Sequence, residues 1–489
     1  MNRSSSILAA ITTAALCSTG LSQDQSDKDT LRFESSNTLY GSFLGFAPDG
    51  KIKWKHTEAD DPIAFSTGKI HRITLNRGRG HKATTHTSSV KLINGDAIPG
   101  KILSANGKTV ELLTDHLGQI SIPADVVQQI NPHPHGGKMF YYGPLDAKGW
   151  KLIDTGEKKS ADKKENEEKK EAKKKDPTKP WRHYASAWYS GSNRYSLLTR
   201  QDALPDRCQL SFKMAWRGNP YCTVALHADL NPPEGEDEKN RFRGSRALGR
   251  AYLLTFSSSS ASLRATTFNE EGELKSENID NSYVSTHIRN KSEADVEIRL
   301  DKKTNTLMLY LNGSFKSKWD LGDDYLGKGN GLAFLATGSS NNRLRISDIV
   351  ISPWNGRMDS ATSRQSEQKD VILLTNGLDR FSGKLVSIKD GKVTFESNYS
   401  TTLKIPIEEV VEINLASKGR RDVKDDENRY THFTIFPHGT LSGTPAPGED
   451  GRTQLTSPLL GQLSLDTNYV DIIDFTQSNN LLDIWDDNF

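Results

Sequence analysis

A chain of 489 residues has room for several domains, each with its own core. Only 34% of it is hydrophobic and its mean hydropathy is −0.63, which favours small, surface-rich units joined by polar segments. A formal net charge of +2 supplies no basic field to gather nucleic acid, so no nucleic-acid partner is expected.

Residues 1–23 read as a secretory signal: Arg3 provides the positive start, residues 7–16 the apolar core, and Gly20-Leu21-Ser22 the small-residue cleavage site. Leu16 is too bulky to favour lipid anchoring at Cys17. No later apolar run approaches the roughly 20 residues a membrane helix needs, so no transmembrane segment is expected. The expected location is the periplasm, the cell surface or the exterior. After signal removal only Cys208 and Cys222 remain, which is no disulfide framework. If Arg217-Gly218-Asn219-Pro220 turns a hairpin, the two cysteines sit too far out of register to bridge, and two buried free thiols follow.

The next elements recur four times, over residues 29–76, 89–132, 370–416 and 431–475. Each copy opens on an apolar run and a tight turn, at Ser36-Asn37, Asn94-Gly95, Asn376-Gly377 and His438-Gly439. A second glycine follows at Gly41, Gly100, Gly383 and Gly443, then a second turn at Asp49-Gly50, Asn106-Gly107, Asp390-Gly391 and Asp450-Gly451. Asn-Gly and Asp-Gly suit type I′ turns, so each copy is expected to be a meander of short strands. The closings read Ile63-Ala64-Phe65 then Ile70 and Ile73, with equivalents ending at Ile130, Ile413 and Ile472. The break in each closing fits a single 3₁₀ turn. This pattern resembles the small five-stranded barrels of the Src-homology-3-like and Sm-like class.

Between the copies, residues 154–180 form a lysine and glutamate run with almost nothing apolar, expected to be a disordered charged linker. Residues 181–355 carry alternating strands. Cys208, Leu210, Phe212, Met214 and Trp216 fall on one face, with Gln209, Ser211, Lys213 and Ala215 on the other. Residues 252–256, 263–268, 296–300 and 307–311 behave likewise. The apolar register shifts near Ser347-Asp348, which predicts a β-bulge.

The order of a strand over 296–301, a second ending in Asn312-Gly313, a glycine-led strand at Gly331 and a closing strand over 344–349 resembles the laminin-G and concanavalin-A-like jelly rolls. The whole order, with Tyr142-Gly143-Pro144, Trp150 and Leu204-Pro205-Asp206-Arg207, also resembles uncharacterised exported proteins of the Planctomycetes and Verrucomicrobia type. The fold class is therefore all-β: a central two-sheet jelly-roll sandwich with two pairs of small five-stranded β-barrels. The resemblance implies a sandwich that hosts sugar-binding domains, protein-binding modules or glycoside-cleaving enzymes, and does not choose among them.

No catalytic constellation is legible. Glycoside cleavage would need two carboxylates facing each other across the concave sheet at roughly 5–10 Å. The nearest acidic cluster, Glu234-Gly235-Glu236-Asp237-Glu238, follows Pro232-Pro233 and reads as a loop, while Glu297 and Asp301 lack partners at suitable spacing. His81, His86, His133 and His135 sit in loops without a completing motif, so no metal or other cofactor is expected. Calcium, common in laminin-G-like domains, would look to Asp323-Asp324. Thr337-Gly338-Ser339 lacks the second glycine of a nucleophile elbow. For sugar binding, rings that stack on pyranose faces are the useful groups, and Trp181, Tyr184, Trp188, Tyr189 and Tyr195 open the sandwich. The reading is an exported, non-enzymatic binding or scaffold protein of the cell envelope whose partner is a glycan or an envelope protein. A glycoside-cleaving enzyme and a pure protein-assembly module are the alternatives.

Overall fold

The computed structural model describes residues 28–475 apart from 36, 76–81, 135–138, 155–180, 185, 191–195, 232–242, 280–282, 337–341, 355, 357–365, 377–378, 400, 422–429 and 437. The signal segment and almost all of the charged run thus lie outside the described residues. The chain is all-β, and its centre is a jelly-roll sandwich of two antiparallel eight-stranded sheets. The first sheet places Arg207–Arg217 between Arg343–Ser352 and Glu293–Asp301; the second places Cys222–Ala228 between Gly331–Ala336 and Ala251–Phe256.

Strict alternation builds the core between them. Cys208, Leu210, Phe212, Met214 and Trp216 point inward against Cys222, Val224, Leu226, Tyr252 and Phe334, all buried. The predicted bulge is present: Ser211 opposes Val350 while Lys213 opposes Ser347, and the extra residue, Asp348, has φ 52°. Both cysteines are buried free thiols. The hairpin between them is not formed: the segment around Gly218 carries the chain from the first sheet into the second, so each thiol sits on its own sheet.

The sandwich also begins earlier than residue 181. Tyr141–Gly143 pairs with the closing strand Arg343–Ser352, and Lys151–Asp154 pairs with Ser196–Arg200. Strands of three and four residues carry too little periodicity to be read from sequence. Because Lys151–Asp154 belongs to the second sheet and Arg182–Tyr184 to the first, the charged run joins two strands of one sandwich rather than two domains.

Each repeat unit is a meander in which the last strand pairs with the first; three units have five strands and a second strand that bends to serve two ladders, whereas in the second unit that strand is broken at Gly100 into Ala97–Pro99 and Lys101–Ala105, one for each ladder. In the first unit, Thr38–Phe46 pairs with Asp29–Phe33 through residues 38–41 and with Ile52–Lys55 through residues 42–46. The second glycine stands at that bend. A Cβ at Gly41, Gly100, Gly383 or Gly443 would press into the carbonyl oxygen of Lys55, Leu113, Glu396 or Thr456 on the third strand, so only glycine allows the strands to cross this closely. Single 3₁₀ turns, Thr67–Lys69, Ala124–Val126, Ile407–Glu409 and Thr467–Tyr469, join the last two strands as expected. The type I′ expectation holds at Asp390-Gly391 and Asp450-Gly451, where both residues have positive φ. It fails at Asp49-Gly50, where only the glycine does, and at Asn106-Gly107, where neither does. There Asn106 Oδ1 accepts from Lys108 N at 2.8 Å and Thr109 N at 3.0 Å, an Asx turn that needs no left-handed residue.

Neighbours in sequence are not partners in space. The last strand of the first unit, Ile70–Thr74, pairs with the last strand of the fourth, Val470–Asp474, and the last strand of the second, Val127–Asn131, pairs with that of the third, Val410–Asn414. Ile73 faces Ile473 and Ile130 faces Ile413, so both contacts centre on the same repeat position; in the fourth unit that position is Ile473 and not Ile472 as the sequence pattern suggests, because Tyr469 closes the 3₁₀ turn and the last strand begins at Val470. The second and third units add a further pairing, Ala105 with Ile388, again at equivalent positions. In the fourth unit Pro445 lies in the corresponding strand and Pro447 just past its end, and neither has an N–H to donate.

Candidate functional site

The outward face of the first sheet meets the fourth repeat unit along a cleft of about 560 Å³. Alternation supplies its floor: residues that point away from the core, Ser211, Lys213 and Glu297, line it together with Asp295. The closing strand adds Arg345, Ser347 and the bulge residue Asp348. Tyr142 and Phe436 form aromatic walls, and Thr434, His438, Thr440 and Asp471 complete the side given by the fourth unit.

The polar groups are held in relays. Arg345 is buried; its Nε donates to the Tyr189 hydroxyl at 3.1 Å and its Nη1 to Ser347 Oγ at 2.5 Å, and Ser347 Oγ donates to Asp348 Oδ2 at 3.0 Å. A buried guanidinium is thus linked to a carboxylate through one hydroxyl. Lys213 Nζ lies 3.9 Å from Asp295, and Glu297 accepts from Arg299 Nε at 2.7 Å. Across the cleft Ser186 Oγ donates to Asp471 Oδ2 at 2.7 Å. Tyr142 packs edge-on against His438 with ring centroids 5.4 Å apart. Burial, then the carboxylates of Asp348 and Asp471, push its hydroxyl well above the usual tyrosine range, so it remains a neutral donor and acceptor.

The aromatic residues expected to bind sugar stand behind this cleft. Trp181 and Trp188 belong to the sandwich core and Tyr189 is fully buried; Tyr195 lies outside the described residues. Tyr184 forms a hydrogen bond between its hydroxyl and Thr30 Oγ1 of the first unit, 2.7 Å apart. The Arg182–Tyr184 and Ala187–Tyr189 hairpin therefore bridges the first unit, through Tyr184, and the fourth, through Ser186, while Tyr189 orients Arg345.

The remaining candidates disperse. The acidic cluster at 234–238, His81, His135 and the serine at 339 lie outside the described residues. His86 Nε2 is 3.8 Å from Asp115, and no group of three metal-binding side chains occurs among the described residues. The carbonyls of Gly322 and Asp323 accept from Asn305 Nδ2, at 2.7 and 2.9 Å. Asp301 is buried against Arg207, whose Nε donates at 2.7 Å. The outward side of the second sheet carries Leu197, Thr223, Ala225, Leu253, Ala333 and Leu335, aliphatic and short polar groups.

One Ser/His/Asp grouping does form, and sequence spacing gave no sign of it. Ser442 Oγ donates to Asp96 Oδ1 at 2.7 Å and lies 2.9 Å from His432 Nδ1, joining the fourth unit to the second. Here the serine bridges acid and imidazole, whereas a nucleophilic triad needs the imidazole in the middle. Burial raises the Asp96 carboxyl above its usual range. The grouping is an interface clasp.

No protein-family model matches the chain, and no curated protein matches it. Among solved structures, the carbohydrate-binding module CBM66 from Bacillus subtilis is 10% identical, covers 36% of this chain and 92% of its own, and superposes with a TM-score of 0.26. A Bacillus subtilis protein of unknown function with a galectin-like fold is 12% identical, with coverage of 44% and 96% and a TM-score of 0.27. LamAcat from Zobellia galactanivorans is 9% identical, with coverage of 44% and 94% and a TM-score of 0.26. These are likenesses of part of this chain and carry no statement about its ligand.

Proposed function

We propose that this is an exported, non-catalytic binding protein of a bacterial cell envelope, which holds a glycan in the cleft between its sandwich and its fourth repeat unit. The observation that carries the reading is the lining itself. Hydroxyls and charged groups of both signs converge on a concave site walled by Tyr142 and Phe436, the combination that recognises a ring with an apolar face and a hydroxylated rim. The four repeat units, small barrels of the Src-homology-3-like or Sm-like type in this reading, act as the scaffold that completes the cleft and presents it to envelope partners. The signal segment supports export.

A glycan array on the mature chain tests this. Binding to at least one oligosaccharide, weakened about tenfold or more by Lys213→Ala, is the expected result. An array on which no sugar binds removes the glycan reading and leaves a protein-assembly module. The carboxylates Asp295 and Glu297 on one strand face motivate the hydrolytic alternative. Prolonged incubation of the bound oligosaccharide separates the two: recovery intact supports a binding protein, and shortened products indicate a glycoside-cleaving enzyme.

A further inference from the structure

The cleft does not end at Asp295. A second cavity, of about 490 Å³, is lined by Asn290, Lys291, Ser292, Glu293, Asp295 and Asn312, so Asp295 stands in the walls of both. The saddle between them is firmly built. Asn312 and Gly313 both have positive φ, and Asn312 Oδ1 accepts from Asp295 N at 3.0 Å while Asn312 N donates to Asp295 O at 2.8 Å. Asn312 lines the second cavity and Gly313 the first, so this turn stands at the boundary of the two.

We infer that the two cavities form one groove that takes an uncharged oligosaccharide chain of several residues, with one ring against Tyr142 and Phe436 and the next ones over Asn290, Lys291 and Asn312. The inference rests on the glycan reading and names its ligand class. Each cavity alone has the size of a small-molecule site, so the pair suits a polymer segment rather than a single sugar. The lining also selects against polyanions. Carboxylates at Asp295, Glu297, Asp348, Asp471 and Glu293 outnumber the cations Lys213, Arg345 and Lys291, and a uronate or sulfated chain would meet net repulsion. Among the described residues that line the second cavity none is aromatic, so its contribution comes from amides and one ammonium group that reach hydroxyls.

Titration calorimetry of the mature full chain with neutral gluco-oligosaccharides and chito-oligosaccharides of two and six residues, and with oligouronates of six, decides the matter. The hexamers should bind about tenfold or more tightly than the dimers, and oligouronates should be the weakest ligands. The exposed Lys291→Ala with Asn290→Ala should reduce hexamer affinity by about tenfold and erase the advantage of length, whereas the dimer should respond to Lys213→Ala. Equal affinity for dimer and hexamer, or preference for oligouronates, overturns the groove while leaving the glycan reading in place. Failure of every oligosaccharide to bind overturns both.

Discussion

Ile73 lies directly across an antiparallel ladder from Ile473, the residue at the same repeat position in the fourth unit. Ile130 and Ile413 repeat the relationship between the second and third units. The first unit is thus stitched to the fourth and the second to the third, and the flanking polar pairs differ. In the outer pair Arg72 and Asp474 form a buried ion pair; in the inner one Gln129 Nε2 donates to Glu412 Oε2 at 2.7 Å.

Arg72→Ala should therefore cost about 3 kcal/mol, because it strands the Asp474 carboxylate in a site only 13% exposed. Gln129→Ala should cost only about 1 kcal/mol, the usual contribution of one hydrogen bond. Urea denaturation of both variants checks the contrast, and an equal effect would show that the outer pair is not closed as described.

The bend glycines offer a test with an internal control. Gly383→Ala places a methyl group against the Glu396 carbonyl and should destabilise by about 2 kcal/mol or more. Gly107→Ala meets no atom within 4 Å at a position without positive φ, so it should be neutral or gain about 0.5 kcal/mol. Thermal melting of the two variants measures this directly.

Two buried histidines set a pH window. Burial pushes His116 and His227 down to about 4 from an ordinary 6.5. The unfolded chain binds the extra protons, so their contribution is complete above pH 6.5 and is lost as pH falls through the interval down to 4. The slope is up to ~1.4 kcal/mol per pH unit for each. Asp96, raised by burial, works the other way, gaining as pH falls. Stability against pH should flatten in part in His116→Gln; an unchanged slope would contradict the assignment.

Burial also raises both thiols to about 12. Cys208 and Cys222 should resist iodoacetamide at neutral pH in the native protein and react once it is unfolded in urea, as mass spectrometry can count.

Much of the fold is written locally. The alternation over Arg207–Arg217, the register slip at Asp348, the Asn312-Gly313 turn and the repeated bend glycines each follow from a few adjacent residues. The partnering of the units was not legible, since all four closing strands share the same aliphatic pattern; what distinguishes them is Arg72 with Asp474, Gln129 with Glu412, and the donor-poor Pro445 and Pro447. The cleft was hidden for a related reason. In the sequence Lys213 is one polar residue of an outward strand face and Glu297 lacks a partner at suitable spacing; only the packing of the fourth unit on the sandwich gathers them with Arg345 and Asp471. Conversely, the aromatic cluster that sequence brought forward was conspicuous because large rings fill cores and bridge units.

Hydrogen exchange of the mature chain with and without a bound oligosaccharide tests the central claim most directly. Protection is predicted in Arg207–Arg217, Glu293–Asp301, Arg343–Ser352 and Thr431–Ile435, the strands that build the cleft. Protection confined instead to Ala251–Phe256 and Gly331–Ala336, on the opposite sheet, would contradict it.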